Sequence, residues 1–197
     1  LDVALTAMTG TSAEAGGAEL AALVVDAALL VQRTAEGDPL SYERIRMAKR
    51  GAGALGDSRL IPGIILDQRV ALDRQARNLE QVKVAVLTRP LALQKGVRET
   101  EIEVNDVDQL ESFMAAEDAL LDAHAQAVLA SGARLIVCAK EVEPRVLHRL
   151  VDAGCVVLAD VERDGAEDLA EVTGAKLCEH LDDLTGESLG SLDRFSV

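Results

Sequence analysis

The chain has 197 residues, with 34 Asp or Glu against 20 Lys or Arg and a formal net charge of −14. A chain of this length buries about 70% of the surface its unfolded form exposes, so a core needs neither disulfide nor metal, and 49% apolar with 27% charged residues excludes a disordered, collagen-like or low-complexity polymer. The charge repels phosphate backbones, two Phe, one Tyr and no Trp leave few stacking platforms, and no apolar run approaches the roughly 20 residues that cross a bilayer, so neither nucleic acid nor membrane is an expected partner.

In chain order, Leu20, Leu23, Val24, Ala27 and Val31 hold the three-and-four spacing of an amphipathic helix, softened at its start by Gly16-Gly17 and ended by Gly37-Asp38-Pro39. From Leu40 the period shortens, as Tyr42, Arg44 and Arg46 alternate with Glu43, Ile45 and Met47 in the manner of an extended segment. A glycine-rich loop over 51–56 follows, then 60–67, an apolar stretch expected as a strand broken at Pro62. Residues 82–87 predict a clear strand closed by Pro90, and Glu101-Ile102-Glu103-Val104 a short alternating piece. The longest periodic segment, about 107–129, carries Leu110, Phe113, Met114, Leu120, Leu121, Ala125, Val128 and Leu129, and Ser131-Gly132 stops it. Short units then alternate: strand 135–138, helix 144–153, strand 155–161, helix 165–172 and strand 176–178. Pro144 suits a first helical turn, Gly154 and Gly174 suit helix ends, and Asp164 is the expected cap of the last helix. The expected fold class is α/β, with a parallel or mixed sheet under helical cover.

The familiar chemical motifs fail on context. Gly51, Gly53 and Gly56 match the spacing of a dinucleotide loop, but Pro62 and the β-branched run after it forbid the helix such a loop must open. No Walker lysine, Gly-x-Ser-x-Gly elbow or His-Glu-x-x-His helix is present. Asp182-Asp183 and the Glu101, Glu103 pair are expected to be solvated surface acids, lacking a histidine or a buried setting. Cys138, Cys155 and Cys178 are spaced for neither a zinc ribbon nor a redox pair, and each lies in or beside an apolar stretch, as buried reduced thiols do. With His124, His148 and His180 equally scattered, no metal site is expected. The chain starts at Leu1 without a charged leader, so no signal peptide is expected and a segment of something longer is.

Several linked segments carry more. Asp57-Ser58-Arg59-Leu60-Ile61-Pro62-Gly63 through Asp67, Val82-Lys83-Val84-Ala85-Val86-Leu87 with Pro90, Glu101 to Val104 leading into Asp108-Gln109-Leu110 and Phe113, Ser131-Gly132-Ala133 with Cys138, Thr173-Gly174-Ala175, and Asp182-Asp183-Leu184-Thr185 with Leu189-Gly190 fall in one order along the chain. This series resembles the group II chaperonins, the thermosome and its eukaryotic cytosolic relatives (TCP-1), over nearly the whole chain. The resemblance implies an intermediate-domain segment of helices and a strand over 1–53, and an apical, substrate-binding domain over 54–185. It also implies a helical lid protrusion over about 95–121 and a strand returning to the intermediate domain over 186–197.

It further implies a cytoplasmic ring subunit that meets unfolded polypeptide clients and neighbouring subunits. Clients would be gripped by the polar face of helix 144–153, Arg145, His148, Arg149 and Asp152, while Val146, Leu147, Leu150 and Val151 dock on the sheet. Leu110, Phe113 and Met114 would form the stripe of the lid, unless they pack against Ile102 and Val104. No catalytic, cofactor or metal residue is implied in this segment: the family's Gly-Asp-Gly-Thr-Thr phosphate loop and hydrolytic aspartate are absent, and ATP and Mg would bind in an equatorial domain outside it. The stretch Ala71 to Arg77 departs from the proline-rich turn usual in the family, which leaves the path from Asp67 to Val82 open. The alternative is a stand-alone α/β ligand-binding or regulatory domain reusing the architecture.

The cations are lopsided, 15 Arg against five Lys in an Ala-rich, acid-rich background. Such a surface suits a salt-rich cytoplasm, where counterions screen self-repulsion over a few ångströms. A halophilic origin predicts an unfolding midpoint that rises between low and molar salt; a flat or falling midpoint contradicts it.

Overall fold

In the computed structural model the structure describes residues 1–34, 44–49, 51, 53–93 and 107–197. The chain divides into two compact units, Leu1–Ile65 and Leu66–Val197.

The first unit is built on helix α1 (Asp2–Met8), a 3-10 turn (Ser12–Gly16) and helix α2 (Gly17–Thr34). The periodicity over 20–31 therefore marks a real helix, whereas α1, at seven residues, carries barely two turns of pattern. Gly16 is required by packing: a Cβ there would lie 2.7 Å from the Leu20 side chain and 2.8 Å from that of Leu55. Two sequence expectations fail here. Residues 60–67 form no strand, although apolar and β-branched, because an apolar run becomes a strand only where a neighbouring strand takes up its backbone groups. Likewise no strand forms over 44–49, and Leu40, Tyr42 and Glu43 lie outside the described residues, as do Gly37-Asp38-Pro39. The glycine loop ends in a 3-10 turn (Leu55–Asp57) in which the Asp57 carboxylate accepts from the Ala54 N–H at 2.7 Å; no helix opens there.

The second unit is a five-stranded mixed sheet. Strands β1 (Asn78–Leu87), β2 (Leu135–Cys138), β3 (Val156–Leu158) and β4 (Leu177–Cys178) are parallel in the order β3-β2-β1-β4. Strand β5 (Gly190–Ser196) runs antiparallel to β1, from Asn78 opposite Ser196 to Val84 opposite Gly190. Because side chains alternate along a strand, Ala85 and Leu87 face one layer and Val84 and Val86 the other.

Helices α3 (Val107–Ser131) and α4 (Pro144–Asp152) cover the first layer, where Leu121, Ala125, Val128, Val146 and Leu150 meet Ala85, Leu87, Ile136 and Val157 in one apolar cluster. Helix α5 (Arg163–Thr173) packs on β1 and β5 through its buried Ala166, Leu169 and Ala170. The strand, helix, strand alternation expected from the sequence is thus realised. Pro144 does sit in the first turn of α4, and Gly174 ends α5 at φ +71°, a conformation glycine adopts without strain. Asp164 does not cap α5: the helix begins one residue before it, with Glu162 at the cap position and no side-chain cap bond.

All three cysteines are buried and free. Burial pushes the Cys138 thiol up, and it also raises that of Cys155; both are held as neutral thiols, packing as small apolar groups.

Candidate functional site: the α3–α4 face

The sequence places Val146, Leu150 and their neighbours at helical spacing opposite Arg145, His148, Arg149 and Asp152, and the fold uses that division. Val146 and Leu150 are fully buried, with Leu147 and Val151 packed against the same cluster. The polar residues are thereby presented outward, but they are not unengaged. Arg145 pairs with Asp118, and Arg149 Nη2 with Asp122 Oδ2 at 2.6 Å, both acids on the neighbouring α3. On the other flank, Arg74 Nη2 lies 3.0 Å from Asp152 Oδ1 and 2.8 Å from His148 Nδ1. Since a guanidinium only donates, His148 accepts at Nδ1 and its proton sits on the other ring nitrogen.

A shallow cleft of about 410 Å³ opens between α3 and α4, lined by Asp118, Asp122, Arg145, His148 and Arg149. Three of the four residues singled out on α4 line it, whereas Asp152 stands on the Arg74 flank. Sequence reading missed Asp118, Asp122 and Arg74. A usable signal existed for the first two: acids four apart on one helix, bases four apart on the next, so that two helices packed side by side match charge to charge. These ion pairs are half exposed, worth about 0.2–1 kcal/mol each. The face is therefore a charge-matched, wettable surface that can exchange partners at little cost.

Helix α3 continues past the sheet. From Leu121 onward its inward residues are buried, but residues 108–116 are all exposed, including Leu110 (45%), Phe113 (45%) and Met114 (51%). At 1.5 Å per residue the stretch from Val107 to Leu120 spans about 20 Å. The stripe is about half exposed, and Ile102 and Val104, against which the sequence left it room to pack, lie outside the described residues.

A second cleft of about 390 Å³ lies at the carboxyl ends of β1, β2 and β3, lined by Thr88, Ala139, Lys140, Asp160, Val161, Glu162 and Arg163. Its two cations stand among two acids, and Arg163 donates from Nε to Glu167 at 2.7 Å, so no converging set of one charge is presented. Among the described residues no group of three His, Cys, Asp or Glu could hold a metal ion, and no helix is long and apolar enough to cross a membrane.

The family model of the TCP-1/cpn60 chaperonins matches residues 1–197. The chain belongs to the TCP-1/cpn60 chaperonin family. It is 30% identical over 190 residues to the thermosome subunit alpha of Methanothermobacter thermautotrophicus, covering 96% of this chain and 34% of that protein. To the thermosome subunit beta of Desulfurococcus mucosus it is 32% identical over 161 residues, 82% of this chain and 32% of that one. Among solved structures, the open-state monomer of a group II chaperonin from Methanococcoides burtonii matches with a TM-score of 0.71 at 25% identity, covering 98% of this chain and 42% of that one. The chain thus spans about a third of the length of its thermosome relatives.

Proposed function

We propose that this chaperonin chain is the client-gripping and lid-bearing part of an ATP-driven folding chamber, with no reaction of its own. The observation that carries this is the apolar stripe of Leu110, Phe113 and Met114, exposed on a helix that runs beyond the core and carries, on its inner half, the charge-matched face shared with α4. An unfolded client offers apolar side chains in no fixed geometry, so a surface that holds it must be apolar, exposed and supported by a rigid element. In the same reading residues 1–53 are an intermediate-domain segment, 54–185 the apical domain with its protrusion over about 95–121, and 186–197 the return strand. Arg145, His148, Arg149 and Asp152 then meet the polar portions of a client.

Partners in this reading are unfolded polypeptides and neighbouring ring subunits in a cytoplasm. ATP and Mg would bind in another part of a full-length subunit. Nucleotide state would bias the stripe between holding a client and meeting its neighbour when the ring closes.

Phe113→Ser with Met114→Ser tests the reading. Both side chains are about half exposed, so the melting temperature is expected to move by no more than about 2 °C, as for surface substitutions. Suppression of aggregation of a denatured client by the chain is expected to fall several-fold. Unchanged suppression removes the stripe from the gripping surface. A small molecule that raises the melting temperature while clients fail to bind would instead favour a stand-alone ligand-binding domain.

A further inference from the structure

The outer edge of β3 is covered by a segment that is not a strand. In a parallel sheet alternate residues turn their backbone groups away from the neighbouring strand, and for β3, which pairs with β2 on one side only, those are Val157 and Ala159. Each finds a substitute partner in residues 66–77. The Val157 N–H donates to Gln75 Oε1 at 2.7 Å, the Val157 carbonyl accepts from the Ala71 N–H at 3.1 Å, and the Ala159 carbonyl accepts from Gln68 Nε2 at 2.6 Å. Two glutamine side chains and one amide thus stand where a paired strand would place a row of backbone groups. Gln75 is 5% exposed and its Nε2 has no partner. Burying an unmet donor opposes folding, and the bond its oxygen accepts from Val157 offsets that cost. The segment is also tied outward by Arg74 to His148 and Asp152 of α4.

We propose that residues 66–77 are an edge guard, which occupies the outward backbone groups of β3 and so keeps a second copy of this chain from adding a strand there. An unguarded edge of apolar Val156, Val157 and Leu158 is a template for pairing, and antiparallel pairing of β3 with itself is self-complementary, the symmetry closed dimers use. Among the described residues no other hydrogen-bonding cover of this edge is seen. Strand β3 carries no charge or proline, and its side chains are all buried.

The proposal is independent of client binding and is tested without a client. In the chain carrying Gln68→Ala and Gln75→Ala, exchange of the Val157 amide measured on the monomer at low concentration is expected to rise about tenfold, the scale of one lost hydrogen bond. The neighbours Val156 and Leu158, whose amides point toward β2, are expected to stay slow. Raising the concentration is expected to shift sedimentation toward a dimer in which Val157 becomes protected again. Should the double variant unfold, Gln68→Ala alone, at a half-buried position, frees the Ala159 carbonyl and leaves the Val157 amide held by Gln75, so there the expectation is weaker association on raising the concentration with Val157 slow throughout. A folded variant that stays monomeric at every concentration at which the parent does, or one that associates while Val157 stays fast, overturns the proposal.

Discussion

Gly190→Ala is expected to lower the stability of the second unit by about 2–3 kcal/mol, the upper range for overpacking, with a fall in melting temperature of about 5–10 °C. A Cβ at this position would lie 2.5 Å from Thr173 Oγ1, 2.7 Å from Thr173 Cβ and 2.7 Å from the Thr173 carbonyl oxygen. None of these can yield easily. The hydroxyl donates to the Leu169 carbonyl at 2.7 Å, and the carbonyl belongs to the backbone at the end of α5, one residue before its left-handed Gly174 cap. On the other side Gly190 is held opposite Val84 at the start of β5.

The strand and the helix therefore close on each other at this one residue, and an added methyl must part them. Thr173→Ala in the same chain is expected to recover only part of the loss, because the Cβ and carbonyl contacts remain. Gly186 supplies the contrast, having open space around it and no positive φ. Gly186→Ala is expected to be neutral or to stabilise by about 0.5 kcal/mol through the unfolded chain. Thermal unfolding of the three variants checks the set, and a Gly190→Ala chain as stable as the parent would show that α5 and β5 are not locked in this way.

Such contacts mark the boundary of what the sequence discloses. Periodicity found α2 to α5 and placed β2 on its observed residues, because each buries one continuous face and the pattern is local. It could not find the edge guard, in which Gln68 and Gln75 look like ordinary polar loop residues until β3 supplies the backbone groups they satisfy. The same blindness made 60–67 look like a strand: apolar content is visible in one segment, whereas a hydrogen-bonding partner belongs to another. At the candidate site the outward face of α4 was legible from helical spacing, but its neutralisation by Asp118, Asp122 and Arg74 needed the third dimension. The stripe of Leu110, Phe113 and Met114 was legible as apolar; only the fold shows that the core does not reach it.

That neutralisation gives the sharpest test of whether α4 contacts clients or merely braces α3. Arg145→Glu with Arg149→Glu places acids against Asp118 and Asp122, turning two attractions into two repulsions. At about 0.2–1 kcal/mol for each exposed pair and a similar amount for each repulsion, a loss of about 1–2 kcal/mol at low salt is expected. Molar salt should erase most of it by screening. Client holding is expected to fall about tenfold or more. Adding Asp118→Arg and Asp122→Arg restores opposite charges across the same gap, so stability returns while the basic groups now project from α3. If α4 is the gripping face, client holding stays low in the fourfold variant despite its recovered stability. If holding recovers in step with the melting temperature, the arginines serve only to fasten the two helices, and the client must be met by the exposed half of α3 alone.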